Sequence, residues 1–290
     1  ISCIQSPETG RELTFSKLKP ALKKRQILII GGGPAGMKAA TVAASRGHEV
    51  KLIEASSKLG GQINLAEKLP GRSEFGGITT NLANKLNRQN VEIKLNTKVS
   101  ADFVMQEAPE VVILATGGRS FEPIIEGREN AHVVTAWQIL EGKANVGSRV
   151  AIADWRCDWV GLGLAELLAR QGCHVRLACN GMVPGQTVNQ YVRDNWLGIL
   201  HKLNVETLTH LRLHGIDSED AYFQHTLSGE PVILNDVDTL VTAFGAGSSN
   251  SLEKDLKNNF HSKLHVIGDA LSPRTVEEAI LDGLKTSTAI

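Results

Sequence analysis

The sequence is poor in the cysteine patterns that form metal knuckles and disulfide frameworks. Its four cysteines lie at positions 3, 157, 173 and 179, and no two of them form a Cys-x-x-Cys pair. This spacing argues against a dithiol redox motif and against a zinc knuckle. Cys173 and Cys179 flank one predicted strand that spans roughly 20 Å, which prevents them from pairing with each other. The pattern favours a reducing compartment, and we expect a cytoplasmic protein.

Long apolar runs and an excess of one charge are also missing. The 31 basic and 31 acidic residues cancel, so we expect neither nucleic acid nor a membrane surface as a partner. The longest apolar runs, such as 27–30 and 111–115, have the length of strands, whereas a membrane span needs roughly 20 apolar residues. No signal peptide, P-loop or nucleophile elbow is visible. The histidine pairs at 210/214 and 261/265 are not interpreted as metal sites.

Strand and helix patterns alternate along the chain, which predicts an α/β fold with a parallel sheet. The first unit joins a strand at 26–30 to a glycine-rich turn and a helix that runs through Arg46. Gly47 is placed to end that helix in a left-handed cap. A second strand at 49–54 completes a βαβ unit.

The same order of elements recurs with a constant offset of 125 residues. A strand at 150–153, a helix between Gly161 and Gly172, and a strand at 174–179 repeat the first unit, and Gly36 corresponds to Gly161. Two βαβ units of one design explain these coincidences, and the alternative is chance recurrence within an α/β protein.

The end of the chain indicates how the two units are connected. Strands at 111–117 and 240–245 close the first and second units, respectively. A last strand at 265–269 precedes a helix from about Pro273 to the end, and we expect this tail to return to the first domain. The prediction is therefore two Rossmann-like dinucleotide-binding domains, with the second inserted in the first.

The first turn has the spacing of a nucleotide site. Gly31, Gly33 and Gly36 form G-x-G-x-x-G between strand and helix, which permits a tight turn, close approach to a pyrophosphate and close helix packing. The helix N-terminus offers free N–H groups to phosphates. Glu54 ends the next strand and is the expected partner of ribose hydroxyls. Its carboxylate disfavours NADP because it would repel the 2′-phosphate, but it does not distinguish FAD, ADP and NAD. The alternative interpretation is a glycine-rich turn that binds no ligand.

The corresponding second turn has lost these features. The offset places Arg156, Asp158 and Cys179 where the first unit has Gly31, Gly33 and Glu54. Asp158 would put a negative charge near a pyrophosphate, so we expect no NAD(P) there. The alternative is a rebuilt site in which Arg156 grips a phosphate and a tryptophan stacks on a base. We interpret Trp155 and Trp159 as packing residues.

Short motifs recur along nearly the whole chain, in the segments 2–4, 29–36, 59–62, 69–72, 115–117, 267–270 and 273–274. Through these segments the chain resembles the nucleotide-binding portion of trimethylamine-dehydrogenase-type flavoenzymes, which include histamine dehydrogenase, dimethylglycine and N-methylproline demethylases and 2,4-dienoyl-CoA reductase. The Asp-Trp-Arg-Cys-Asp-Trp turn at 154–159 is most similar to the demethylase branch.

The resemblance implies a disulfide-reductase type of fold and a larger enzyme. Members join this module to a TIM barrel that bears FMN and to a 4Fe-4S cluster, and the amine-oxidising branch passes electrons to an electron-transferring flavoprotein. Cys3 is similar to the fourth cluster ligand, and the other three ligands would precede Ile1, so Cys3 would hold iron only in a longer chain. A homo-oligomer is expected for the full-length enzyme, and we name no catalytic residue here.

The same resemblance extends the set of cofactor-binding candidates. FAD or ADP is implied in the first domain and NAD(P) is not expected in the second.

Three hypotheses for the function stay open: a portion of an amine dehydrogenase or demethylase, an NAD(P)H-dependent flavin or enoate reductase module, and a non-catalytic ADP-binding module. The predicted segments are an N-terminal linker (1–24), an FAD- or ADP-binding domain (25–125 with 250–290) and a degenerate NAD(P)-like domain (126–249). The candidate residues are Gly31, Gly33, Pro34, Ala35, Gly36, Glu54, Gly61, Gln62, Arg72, Ala115, Thr116, Gly117, Gly268 and Asp269.

Overall fold

The computed structural model describes residues 2–15, 17–257, 260 and 262–290, and its elements alternate as expected for an α/β chain. His261 of the second histidine pair lies outside the described residues. The strands are β1 (Gln26–Ile30), β2 (Glu49–Ile53), β3 (Glu92–Lys94), β4 (Val111–Leu114), β5 (Gly118–Ser120), β6 (Val133–Thr135), β7 (Arg149–Asp154), β8 (His174–Cys179), β9 (Glu206–Leu208), β10 (Leu211–Ile216), β11 (Ala221–His225), β12 (Pro231–Leu234), β13 (Thr239–Ala243), β14 (Ala246–Ser248) and β15 (Lys263–Val266). The helices are α1 (Glu12–Phe15), α2 (Pro34–Ser45), α3 (Ile63–Ala66), α4 (Gly76–Arg88), α5 (Ala101–Glu107), α6 (Ala136–Glu141), α7 (Trp159–Arg170), α8 (Gln190–Lys202), α9 (Ser251–Lys257) and α10 (Val276–Ala289).

The chain divides into two compact units. The first unit comprises residues 1–67, 74–119 and 246–290, and the second comprises 68–73 and 120–245. The first unit is therefore discontinuous in sequence, and the second is inserted in it, which confirms the predicted fold class. No helix in the described part of the chain is long and apolar enough to span a membrane.

The first unit is built on a parallel sheet with strand order β15-β4-β1-β2-β3. Its central strands are apolar on both faces, as expected for a sheet that is covered by helices on both sides. Ile29 of β1 packs with Met37 of α2 on one face, whereas Leu28 packs with Val104 of α5 on the other. Each fully buried side chain of this kind stabilises the fold by about 1.5–3 kcal/mol.

The C-terminal helix α10 packs on α2, so the tail belongs to the first unit. Gly283 of α10 is essential for this approach, because a Cβ atom there would lie 2.5 Å from the carbonyl oxygen of Ala35. Ser287 donates a hydrogen bond to the carbonyl oxygen of Ala39, at 2.9 Å. The N-terminal segment also joins this unit through the buried Lys38 of α2, whose ammonium group contacts the carboxylate of Glu8.

The second unit repeats the parallel arrangement with strand order β6-β13-β7-β8-β9 and adds the antiparallel sheet β10-β11-β12. In both units a left-handed glycine follows the helix of the βαβ motif: Gly47, after α2, has a φ of +94°, and Gly172, after α7, has a φ of +93°. The predicted correspondence of these helix ends is therefore confirmed. The turn between β1 and α2 therefore corresponds to the turn between β7 and α7.

Candidate nucleotide site

The turn between β1 and α2 is shaped by backbone-to-backbone contacts that only glycine allows. Gly31 has a φ of +111°, and a Cβ atom there would lie 2.1 Å from the carbonyl oxygen of Ala115. A Cβ atom on Gly36 would lie 1.9 Å from the carbonyl oxygen of Gly31. Both distances are far inside van der Waals contact with backbone that cannot move away. These two glycines are therefore required by the turn itself.

Gly33 has a different role, because it lies at the N-cap of α2 with extended backbone and with open space where a Cβ atom would project. Within the described residues no side chain caps this helix, and Pro34 begins its first turn. The first N–H groups of a helix have no intrahelical partner and carry the positive end of the helix dipole. The turn therefore presents uncapped donors beside free space, an arrangement that suits an anionic phosphate group.

Glu54 lies directly after β2, and its carboxylate is fixed by two backbone donors. The N–H of Gly32 donates to Oε2 at 2.6 Å, and the N–H of Ser56 donates to Oε1 at 2.7 Å. A carboxylate offers about four lone-pair positions, so each oxygen keeps acceptor capacity. The carboxylate is thus held beside the glycine-rich turn and can still accept hydrogen bonds from ribose hydroxyls.

A second loop, residues 59–62, closes over the glycine-rich turn. The N–H of Gly60 donates to the carbonyl oxygen of Gly32 at 2.9 Å, and Gly60 has a φ of +116°. A Cβ atom on Gly61 would lie 3.2 Å from the Cα atom of Gly33. The Gly-Gly dipeptide of this loop therefore lets two backbones meet where a side chain would separate them.

Gln62 connects this loop to the segment that follows β15. Its Nε2 donates to Oδ2 of Asp269 at 2.8 Å, while Oδ1 of Asp269 accepts a hydrogen bond from the N–H of Arg274 at 3.2 Å. Gly268 has a φ of +61°, and a Cβ atom there would lie 2.9 Å from the Cβ atom of Ala35. The predicted residues of the turn, the second loop and the C-terminal segment thus converge on one place in the first unit.

The segment after β4 lies under the same turn. The N–H of Ala115 donates to the carbonyl oxygen of Ile30 at 2.8 Å, and the hydroxyl of Thr116 donates to the carbonyl oxygen of Ser249 at 2.5 Å. Gly117 has a φ of +71° with open space at its Cβ position. This segment therefore supports the glycine-rich turn through backbone contacts.

Arg72 and Cys3 complete the set of predicted residues. Arg72 belongs to the second unit, where its guanidinium carbon lies 3.0 Å from the ring centroid of Trp159 and 5.9 Å from that of Trp196. Cys3 has a half-buried free thiol. Within the described residues, no group of three or more histidine, cysteine, aspartate or glutamate side chains could hold a metal ion.

The turn between β7 and α7 differs from its counterpart at the helix N-terminus. Asp158 is the N-cap of α7, and its carboxylate accepts a hydrogen bond from the N–H of Val160 at 2.9 Å. Arg156 lies 3.6 Å from the same carboxylate. Trp155 stacks on Phe244 with a centroid distance of 5.9 Å. The position that an anion would take is therefore already filled by a carboxylate of the protein.

Asp154 was not identified from the sequence, although it organises the second turn. It is 1% exposed, and its Oδ1 accepts a hydrogen bond from the N–H of Cys157 at 2.8 Å. A Cβ atom on Gly161 would lie 2.1 Å from Oδ2, so the glycine makes room for this carboxyl group. Burial, together with the nearby charges of Asp158 and Cys157, raises the pKa of Asp154 well above its ordinary value.

Two thiols beside Asp154 were also missed. Cys157 follows Asp154 by three residues, and Cys179 is the register partner of Asp154 across the parallel pair β7–β8. The interaction with the Cys179 thiol lowers the pKa of Cys157 to about 7, and the same interaction, with burial, raises the pKa of Cys179. The offset that aligns Cys179 with Glu54 was the available signal, since both positions lie at the carboxyl end of the second strand.

Comparison with known proteins agrees with this architecture. Residues 25–271 match the family model described as pyridine nucleotide-disulphide oxidoreductase, and the chain belongs to this family. It is 31% identical to N,N-dimethylglycine/sarcosine dehydrogenase of Chromohalobacter salexigens, over 98% of this chain and 47% of that protein. It is 30% identical to a probable N-methylproline demethylase of Rhizobium meliloti, over 98% of this chain and 46% of that protein.

A solved structure extends the same relationship. A complex of 2-naphthoyl-CoA reductase superposes with a TM-score of 0.91 and 31% identity, covering all of this chain and 43% of that chain. The resemblance to the demethylase and amine dehydrogenase flavoenzymes is thus confirmed. The chain spans about half the length of the curated relatives it matches.

Proposed function

We propose that this chain is the nucleotide-binding portion of an iron–sulfur flavin oxidoreductase of the amine dehydrogenase and N-demethylase class, with FAD or ADP in the first unit. The observation that carries the proposal is the uncapped N-terminus of α2 beside the open space at Gly33. The backbone donors, the acceptor at Glu54 and the second loop lie around this point in one compact unit.

The residues present fit an adenine dinucleotide or ADP. The free N–H groups of Ala35 and Gly36 at the start of α2 would face the phosphates, and Glu54 would accept hydrogen bonds from the adenosine ribose. Asp269, held by Gln62 and Arg274, would bind the far end of the ligand. FAD would supply a two-electron redox centre here, whereas ADP would supply none and would make the unit structural.

The chemistry of the whole enzyme would lie in the half of the relatives that this chain does not span. FMN and a 4Fe-4S cluster would belong to that part, with Cys3 as the fourth cluster ligand. Electrons from an oxidised amine would leave to a protein acceptor such as an electron-transferring flavoprotein. The second unit would not bind NAD(P), because Asp158 occupies the helix N-terminus and repels a pyrophosphate.

A second candidate is an NAD(P)H-dependent reductase module of an enoate-reducing enzyme. The similarity to 2-naphthoyl-CoA reductase supports this second candidate, because the sequence identity to that reductase, 31%, is as high as the identity to the dimethylglycine/sarcosine dehydrogenase. The filled second turn argues against direct use of NAD(P)H by this chain. A third candidate, a non-catalytic ADP-binding module, differs from the first only in the ligand.

The test is to denature the purified chain, remove the protein and identify the released small molecule by chromatography and absorbance. FAD or ADP is the expected result. FAD would make the first unit a redox centre, and ADP would make it structural. Bleaching of bound flavin by NADH or NADPH would favour the reductase candidate. A chain that carries no nucleotide and binds none when FAD or ADP is added would overturn the proposal.

A further inference from the structure

The second unit brings together two thiols that are far apart in sequence. The parallel pairing of β7 with β8 sets Asp154 beside Cys179, and Cys157, three residues after Asp154, contacts Asn180 at the end of β8. Both sulfur atoms lie against Gly181: Sγ of Cys179 donates a hydrogen bond to its carbonyl oxygen at 3.7 Å, and a Cβ atom on Gly181 would lie 3.0 Å from Sγ of Cys157. The Sγ atom of Cys157 also lies 3.2 Å from Oδ1 of Asn180. These contacts define a thiol pair, Cys157 and Cys179, at the carboxyl end of the sheet.

The backbone holds Cys157 in a costly conformation. Its φ is +49°, in the left-handed region that residues with a Cβ atom rarely adopt. Its N–H donates to Oδ1 of Asp154, and its carbonyl oxygen accepts hydrogen bonds from the backbone N–H and the hydroxyl of Thr187, at 3.1 and 3.0 Å. Three hydrogen bonds therefore fix the position of the Cys157 side chain against Cys179.

We propose that Cys157 and Cys179 form an oxidisable dithiol that hydrogen peroxide converts to an intramolecular disulfide. Cys157 is the attacking thiol, because it is the more accessible of the two, at 4% exposed against 0%, and its pKa is lowered whereas that of Cys179 is raised. Gly181 packs against this sulfur without a side chain, since a Cβ atom there would lie 3.0 Å from Sγ of Cys157. Such limited access admits a small oxidant and excludes a protein disulfide.

The chemistry balances in two steps. The Cys157 thiolate attacks one peroxide oxygen, the O–O bond breaks, and the released hydroxide takes a proton to become water, leaving a sulfenic acid on Cys157. The sulfur of Cys179 then attacks the sulfenic sulfur, an S–S bond forms and the S–O bond breaks. The second hydroxide leaves with the Cys179 proton as water. Two thiols are oxidised by two electrons in total, and one peroxide is reduced to two waters.

The remaining cysteines serve as internal controls. Cys173 is half-buried, and its pKa is raised by burial, so it is a poorer nucleophile despite greater exposure. Trypsin separates the three cysteines of the second unit, because cleavage after Arg156, Arg170 and Arg176 places them on the peptides 157–170, 171–176 and 177–193. A disulfide within the pair can therefore be distinguished from any disulfide that involves Cys173.

The experiment treats the full chain with hydrogen peroxide, blocks the remaining thiols in denaturant and analyses the unreduced tryptic digest by mass spectrometry. We expect peptides 157–170 and 177–193 to be linked, with Cys173 recovered alkylated and the chain still monomeric on a non-reducing gel. The variant Cys173→Ser should give the same linked pair. In Cys179→Ser, Cys157 should instead accumulate as a sulfenic acid that reacts with dimedone.

Other outcomes would overturn the proposal. Recovery of Cys157 and Cys179 as free thiols after Cys173 has been oxidised would show that the pair is not the preferred target. Oxidation of Cys157 to the sulfinic acid without a link to Cys179 would show that the second thiol does not resolve the first. Since the decisive digest uses the unmodified chain, a variant that fails to fold does not affect the conclusion.

Discussion

The two units contain turns of one design that differ in what they present at the N-terminus of the helix. In the first unit Gly33 leaves the donors of α2 uncapped and the space beside them open. In the second unit Asp158 caps α7, and Asp154 fills the space beneath it. A parallel strand followed by a helix is therefore sufficient for the fold in both units, and our proposal is that it binds a nucleotide only where the helix end is left uncapped.

The glycines that both turns retain should respond differently to an added methyl group. Gly36→Ala should cost about 3 kcal/mol or more in the free energy of unfolding, because the new Cβ meets the Gly31 carbonyl and no backbone there can move. Gly161→Ala meets the carboxyl group of Asp154 instead. Urea denaturation of the two variants measures the costs.

A double variant sharpens this contrast. Asp154→Ala should recover part of the loss in a Gly161→Ala background, because it removes the atoms that clash. No side-chain truncation should rescue Gly36→Ala in the same way. If the Asp154→Ala change made the Gly161→Ala protein less stable still, the carboxyl group would not be the obstacle.

Gly33→Ala should weaken nucleotide binding without unfolding the protein. Its Cβ projects into open space in the folded chain, at the position where a phosphate would approach the backbone. We expect the Kd for ADP to rise about 10- to 100-fold, which corresponds to about 1.4–2.7 kcal/mol. Titration calorimetry on nucleotide-free protein measures it. Gly198→Ala, where the added Cβ also meets open space, is the matched control and should leave the Kd unchanged.

The buried carboxyl group of Asp154 in the second turn should make the free energy of unfolding depend on pH. Because the pKa of Asp154 is raised in the folded state, the fold binds its proton more tightly than the unfolded chain does. The wild type should therefore lose stability relative to Asp154→Asn as pH rises above about 4, by at most about 1.4 kcal/mol per pH unit. Unfolding free energies at pH 5 and pH 7 measure this difference, and Asp102→Asn serves as the exposed control.

An Asp154→Asn difference that stayed constant between these pH values would contradict the assignment, since it would mean that Asp154 ionises alike in both states. The window ends at pH 7 because the Cys157 thiol, with its pKa lowered to about 7, is half ionised there and mostly ionised above it. That ionisation acts in the opposite direction, since a lowered pKa stabilises the fold as pH rises.

Glu54→Gln should give the smallest effect. The substitution keeps one acceptor oxygen but removes the charge and one of the acceptors that Gly32 and Ser56 use. We expect about a three- to tenfold increase in the Kd for ADP, in line with the loss of one hydrogen bond. Glu92→Gln, an exposed change of equal charge on the same sheet, should have no effect. An unchanged Kd in Glu54→Gln would mean that this carboxylate only organises the turn.

The local features of both units could be predicted from the sequence because they depend on short-range patterns. The strand, turn and helix around Gly31 to Gly36 follow from glycine spacing and apolar periodicity, and the helix ends at Gly47 and Gly172 follow from left-handed caps. The inserted arrangement followed from the order of strands. Each of these signals lies within one βαβ unit or its repeat.

The features that were missed depend on register between strands. Cys157 and Cys179 are brought together by the alignment of β7 with β8, and no periodicity within either strand reports that alignment. The absence of Cys-x-x-Cys was correct as a sequence observation, yet it did not exclude a thiol pair formed across two strands. Arg72 was assigned by resemblance as a cofactor ligand, and the structure stacks it on Trp159 within the second unit.

The most direct test of the difference between the two turns is the stoichiometry of nucleotide binding. Nucleotide-free chain should be titrated with ADP and then, once saturated, with NADPH, in a calorimeter. We predict one ADP per chain, displaced by FAD, and no heat from NADPH, because the end of α7 is already capped by Asp158. Binding of one NADPH per chain in the presence of saturating ADP would contradict the account, since the second turn would then be an open nucleotide site.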